Sequence, residues 1–145
     1  MIDNHGRTVN YVRLAITDRC NLRCSYCMPE EGIAFAERAA LLSYEEMERL
    51  LRILTGLGVD KVRITGGEPF VRRDFMHFLE RITAIEGIRK IALTPNGTLT
   101  APYVPQLKRL GIGPVNLSLD TLNEEHFYEI TRRDEFQNVW RTLQA

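Results

Sequence analysis

The sequence predicts an α/β protein built on a parallel sheet of about four βα units. Three observations carry this expectation: short β-branched apolar runs alternate with segments of helical period, polar or glycine-rich loops follow each run, and no internal repeat or low-complexity tract breaks the order. A crossover helix returns the chain to start the next strand in the same direction, so successive βα units build a parallel sheet.

Residues 12–17 read as the first strand, with a cysteine-bearing loop at its C-terminal end. Ser43-Tyr44-Glu45-Glu46 fits a capping box and opens a helix. In that helix Tyr44, Met47, Leu50, Leu51 and Leu54 form one apolar stripe against Glu45, Glu48, Arg49 and Arg52. Residues 61–65 make the second strand, followed by Gly66-Gly67-Glu68-Pro69 and a helix with Phe75, Phe78, Leu79, Ile82 and Ile85 inward. The third strand, residues 91–94, runs into Pro95-Asn96-Gly97. The next helix carries Pro102 and Pro105 near its start, where a missing N–H is tolerated, and stops at Gly111. Residues 115–120 are expected as a fourth strand, with helical segments from residue 123 onward in which Phe136, Val139, Trp140 and Leu143 share a helical spacing. In parallel sheets sites gather at the C-terminal ends of the strands. Four loops, those containing the cysteines, Gly66-Gly67, Pro95-Asn96-Gly97 and Ser118-Leu119-Asp120, are therefore expected on one face.

The 145 residues, 44% of them hydrophobic, suit one globular domain or part of a larger one. Lys+Arg and Asp+Glu are balanced at 19 each, which excludes an overall field favouring nucleic acid or an anionic membrane. The first seven residues are polar and lack the apolar core of a leader, and no apolar run approaches the roughly 18 residues that span a bilayer. A cytoplasmic protein is expected.

All three cysteines fall between Cys20 and Cys27, a poor layout for disulfides and a good one for metal or redox chemistry in a reducing compartment. Cys20-x-x-x-Cys24-x-x-Cys27 offers three thiolates to a [4Fe-4S] cubane, leaving one iron open to another ligand. A zinc site is the alternative, although the second close-spaced pair of a zinc ribbon is missing. His5, His77 and His126 show no ligand spacing with the cysteines and read as surface or capping residues.

Thr17-Asp18-Arg19-Cys20-Asn21-Leu22-Arg23-Cys24-Ser25-Tyr26-Cys27-Met28-Pro29 resembles the cluster loop of the radical S-adenosylmethionine (SAM) superfamily, and within it the GTP 3′,8-cyclase family of molybdenum cofactor biosynthesis. Arg63-Ile64-Thr65-Gly66-Gly67-Glu68-Pro69, Thr94-Pro95-Asn96-Gly97 and residues 115–120 are similar to that family's further motifs, in its order. The resemblance runs from about residue 8 to the end. It implies a partial (β/α) barrel of which this chain is the N-terminal portion, with the late βα units and a second-cluster extension absent. Cys20, Cys24 and Cys27 would ligate the cluster, and Tyr26, Gly67 and Ser118 would contact SAM, with Gly66 and Glu68 expected beside them from their own chemistry. Arg13, Arg63 and Thr94 would contact GTP, whose ribose is attacked by the 5′-deoxyadenosyl radical and cyclised onto guanine C8; no side chain is assigned as a catalytic acid or base. An electron donor such as flavodoxin or ferredoxin is implied, and a homodimer is a further expectation.

The residues themselves agree in outline. Glycines allow close backbone approach, Glu68 is able to accept from an ammonium, and arginine pairs bidentately with phosphate. Each has a bland rival: packing for Tyr26, a structural ion pair for Arg13 and Arg63, a simple turn for Gly66-Gly67, and solvated charge for Arg72-Arg73 and Arg132-Arg133. Pro95 departs from the family, which usually has a second threonine there. Two other functions remain open: another radical SAM activity such as a peptide-modifying maturase, and a non-catalytic iron–sulfur module.

Overall fold

In the computed structural model, which describes residues 2–29 and 31–145, the sheet has three parallel strands, Tyr11–Ala15 (β1), Lys61–Thr65 (β2) and Lys90–Leu93 (β3). They lie in the order β1-β2-β3, with Arg13 in register with Arg63 and Arg63 with Ala92. The strands alternate. Leu14, Val62, Ile64, Ile91 and Leu93 are buried on one face, while Tyr11, Arg13, Lys61 and Arg63 stand on the other and are exposed or half-buried. Parallel sheets are usually covered on both faces and read as continuous apolar runs; here the second face is polar.

The covered face packs against Tyr44–Gly56 (α1), Phe75–Thr83 (α2) and Val104–Arg109 (α3). α1 begins in the expected capping box: Ser43 Oγ accepts from Glu46 N at 3.2 Å and Glu46 Oε2 accepts from Ser43 N at 2.7 Å. Met47 and Leu51 enter the core, whereas Leu50 is 37% exposed and lies at the margin of the stripe. α2 buries Phe75, Phe78, Leu79 and Ile82, with Ile85 just beyond it, as their spacing predicts. The helix with two early prolines is split into a 3₁₀ turn over Ala101–Tyr103 and α3, and the chain leaves it through Gly111 at φ +68°.

The fourth strand is a correction. Residues 115–120 run beside β3 but form one parallel bridge, Leu93 to Val115, and a few bonds: Leu93 N to Pro114 O (3.1 Å), Asn116 N to Leu93 O (2.9 Å) and Ser118 N to Pro95 O (2.9 Å). Pro114 has no N–H to give the ladder, and Val115 and Asn116 are exposed. The sheet therefore has three strands and is not closed.

Glu124–Thr131 (α4) and Phe136–Gln144 (α5) form a second, smaller core. Leu22 from the cysteine loop packs there with Phe127, Phe136 and Val139, and Cys20, Cys24 and Leu119 pack against them. In α5 the inward stripe is Phe136, Val139 and Thr142 rather than Trp140 and Leu143, which are 37% and 49% exposed. A 2.5 Å bond from Thr142 Oγ1 to Gly97 O fixes that rotation.

Candidate functional site

The loop after β1 is pinned from two sides. Toward the sheet, Gly67 N donates to Thr17 O at 2.7 Å and Glu68 N to Arg19 O at 2.8 Å. Toward α4, Arg23 N donates to Thr131 O at 2.9 Å and Ser25 N to Ile130 O at 2.8 Å. Between these anchors Cys27 N and Met28 N both turn back to Cys24 O at 3.0 and 2.9 Å, which aims the three cysteines at one place.

That place is a cavity of about 400 Å³ at the C-terminal edge of the sheet, within the range of small-molecule sites. Its wall carries Cys20, Cys24 and Cys27 together with Arg13, Tyr26, Gly66, Gly67, Thr94 and Ser118. A larger concavity of about 670 Å³ lies among Arg23, Phe35, Tyr128, Arg132 and Arg133; it contains no cysteine and none of the expected site residues.

All three thiols are free of disulfides, with Cys20 and Cys24 half-buried and Cys27 exposed. Burial pushes the Cys20 thiol up, opposed by N–H groups of Leu22 and Asn96; burial also raises Cys24, opposed by the Tyr26 hydroxyl. Among the described residues no three His, Cys, Asp or Glu side chains are grouped to hold a single metal ion. A cubane makes no such demand, because each thiolate takes a separate iron. Three unpaired thiols opening on one cavity are a donor set that fits it.

Tyr26 is 66% exposed and donates to Asp120 Oδ2 at 2.8 Å, so packing does not explain it. Partial desolvation of the hydroxyl at the cavity edge, then its bond to the Asp120 carboxylate, raises its pKa. Arg13 and Arg63 make no ion pair among the described residues, and their register sets two cations side by side. Such an arrangement is unfavourable without an anion between them. Arg63 is not on the cavity wall: its Nε donates to Tyr11 Oη at 3.0 Å and its guanidinium to Thr94 Oγ1 at 3.1 Å, so it braces Thr94, which is.

Glu68 is the other expected residue absent from the wall. It is fully buried, with Oε1 accepting from Phe70 N at 3.0 Å and Oε2 from Asn96 N at 2.6 Å. Burial lifts its pKa to about 6, against the two amide bonds. Both oxygens are engaged within the protein, so its geometry is that of a brace between the Gly66-Gly67 turn and the loop after β3. Glu68→Gln is expected to lower the thermal midpoint of the cofactor-free chain, at a cost on the order of 1.5–3 kcal/mol for a bond to a charged group. An unchanged midpoint would deny it that part.

Sequence reasoning passed over Asp18 and Asn96, both on the wall. Asp18 Oδ2 accepts from Ala36 N at 2.6 Å, while its Oδ1 is buried with no hydrogen-bond partner. By sequence Asn96 is only part of a turn, and nothing in the spacing marks it. The signal for Asp18 was its place two residues before Cys20.

Comparisons with known proteins now bear on this cavity. The profile of the radical SAM superfamily matches residues 14–145. The chain is 46% identical over 144 residues to a GTP 3′,8-cyclase of Desulforamulus reducens, covering 99% of this chain and 44% of that protein. It is 49% identical over 139 residues to the GTP 3′,8-cyclase of Geobacter sulfurreducens, covering 96% and 43%. Among solved structures, Streptococcus suis SuiB bound to its precursor peptide SuiA superposes with a TM-score of 0.65 at 29% identity, over 88% of this chain and 28% of SuiB. The chain thus spans less than half the length of the curated relatives it matches.

Proposed function

This chain belongs to the radical SAM superfamily, and from that premise we propose that it forms the cluster- and SAM-binding part of a GTP 3′,8-cyclase of molybdenum cofactor biosynthesis. The observation that carries the proposal is the single cavity shared by Cys20, Cys24 and Cys27, Tyr26, Gly66, Gly67 and Ser118, and Arg13 and Thr94.

The family's cofactors are a [4Fe-4S] cluster and SAM. When bound, the reduced cluster would give one electron to the SAM sulfonium, breaking its sulfur–C5′ bond to release methionine and a 5′-deoxyadenosyl radical. The protein's part is to bind and orient. Cys20, Cys24 and Cys27 hold the cluster. Gly66 and Gly67 let the turn pack against the backbone of the cysteine loop at the cavity wall, Tyr26 and Ser118 offer hydroxyls toward SAM, and Asp18 on the same wall has one carboxylate oxygen without a partner in the protein. Arg13 faces the triphosphate, with Arg63 acting through Thr94; guanidinium forks suit phosphate oxygens. No side chain is required as an acid or base. A low-potential one-electron carrier such as flavodoxin or ferredoxin would supply the electron, and a reducing compartment such as the cytoplasm would suit three cluster-binding thiols. Among the described residues no helix is long and apolar enough to cross a membrane.

A peptide-modifying maturase is the competing reading, favoured by the likeness to SuiB at 29% identity; likeness to the cyclases is far greater, at 46% and 49%. The experiment is anaerobic reconstitution with iron and sulfide, followed by electron paramagnetic resonance of the reduced protein with and without SAM, and by GTP binding. SAM is expected to change the spectrum. Arg13→Ala is expected to weaken GTP binding by roughly tenfold to a hundredfold, the worth of a bond to a charged group. A spectrum indifferent to SAM would remove the cofactor assignment, and GTP affinity unchanged in the variant would remove Arg13 from the substrate site.

A further inference from the structure

Asn96 sits at the centre of a closed polar network that the proposed function does not use. It is buried, at 7% exposure, on the cavity wall. Its carboxamide is oriented by chemistry rather than by assumption. The backbone N–H of Thr98 faces Oδ1 at 3.0 Å, and an N–H is only a donor, so that atom must be the oxygen. The Thr98 hydroxyl also donates to Oδ1 at 2.8 Å and in turn accepts from Asn21 Nδ2 at 2.7 Å. Asn21 Oδ1 then accepts from Asn96 Nδ2 at 2.9 Å, which closes the ring. One N–H of Asn96 is thereby spent on Asn21. The other points to Cys20 Sγ, at 3.7 Å.

The backbone of Asn96 is held as firmly as its side chain, because its N–H is taken by the buried Glu68 carboxylate at 2.6 Å. Residues from the cysteine loop, the Gly66-Gly67 turn and the loop after β3 therefore fix one donor against one sulfur. Leu22 N reaches the same Sγ at 3.4 Å.

We infer that Asn96 is a positioning residue for Cys20, whose carboxamide N–H sets the electron affinity of the cluster that this thiolate ligates. The inference rests on the radical SAM reading of the three cysteines. A hydrogen bond to a ligating sulfur draws off negative charge and favours the reduced cluster, and such bonds are among the determinants of iron–sulfur potentials. Without it the cluster is harder to reduce.

The test uses the reconstituted protein and its Asn96→Ala and Asn96→Asp variants, with the cluster's midpoint potential read by dye-mediated titration under electron paramagnetic resonance. Both variants lose the donor, and Asp also adds charge while keeping an acceptor for Thr98. Both are expected to shift the potential downward, the Asp variant by at least a tenfold change in the one-electron equilibrium, which is 59 mV. A potential equal to that of the unaltered protein in cluster-loaded variants would overturn the inference. Should a variant lose iron, the thermal midpoint of its cofactor-free form decides. An unaltered midpoint supports a role at the sulfur, while a lowered midpoint in both variants shows a purely structural residue and overturns it. If the unaltered protein itself takes up no four-iron cluster, it is the reading of the cysteines that fails, and that outcome is distinct.

Discussion

Replacing any one of Cys20, Cys24 or Cys27 by alanine is expected to reduce the iron bound after anaerobic reconstitution from close to four per chain to a small fraction of that, with loss of the visible charge-transfer absorption. The sequence contains no fourth cysteine to substitute, and the loop is anchored through backbone bonds to Gly67, Glu68, Ile130 and Thr131, so a neighbouring side chain has little freedom to move in. The three positions differ in what they cost the apoprotein. Cys20 and Cys24 pack against the Phe127, Phe136 and Val139 core, whereas Cys27 is exposed. Cys27→Ala is therefore the cleanest probe: it removes a ligand while leaving the cofactor-free thermal midpoint nearly unchanged. Full iron content in Cys27→Ala, or one bound zinc in the unaltered protein, would defeat the cluster assignment.

Gly67→Ala is expected to be nearly as damaging, although it deletes no ligand. A Cβ built on Gly67 would lie 2.3 Å from Arg19 O, 2.6 Å from Arg19 C and 2.9 Å from Asp18 O. All three are backbone atoms, so no flexible side chain is present to give way. The strand end and the start of the cysteine loop would have to part, breaking the bonds from Gly67 N to Thr17 O and from Glu68 N to Arg19 O. Overpacking of this kind costs about 1–3 kcal/mol or more, and at this chain length each kcal/mol lowers the melting midpoint by about 2–4 °C. A fall on the order of 5–10 °C is expected, together with reduced iron uptake as Cys20 is displaced. Gly66→Ala is a useful companion, since Gly66 combines φ +142° with a Cβ position 2.5 Å from Thr17 O. A Gly67→Ala protein with an unaltered midpoint and four irons would show that the turn yields more readily than its geometry indicates.

The sequence carried the elements whose signal is local. The capping box at Ser43 and the Phe75, Phe78, Leu79 and Ile82 stripe depend only on neighbours within a turn or two, and both are present as expected. The strand at residues 61–65 is central in the sheet and satisfied on both sides, so its limits follow its apolar run. At residues 115–120 the run is similar, but strand formation depends on partners, and the edge position supplies few. Likewise the rotation of α5 is set by a contact between Thr142 and Gly97, which lie 45 residues apart.

The site divides in the same way. Cysteine spacing, glycine pairs and arginines in strands are properties of residue type and order, and these by themselves determined the candidate ligands and the radical SAM resemblance. Which of those groups face a common cavity was decided only by the tertiary structure. Glu68 illustrates it: a carboxylate after two glycines suits an ammonium ligand by type, but folding buries it and gives both oxygens to backbone amides. Asn96 illustrates the converse, a turn residue by type that folding aims at Cys20 Sγ. The physical reason is that a side chain's chemistry is intrinsic, whereas its partners are fixed by where segments distant in the chain come to pack, and hydrogen bonds across 28 and 76 residues leave no periodic trace in the sequence.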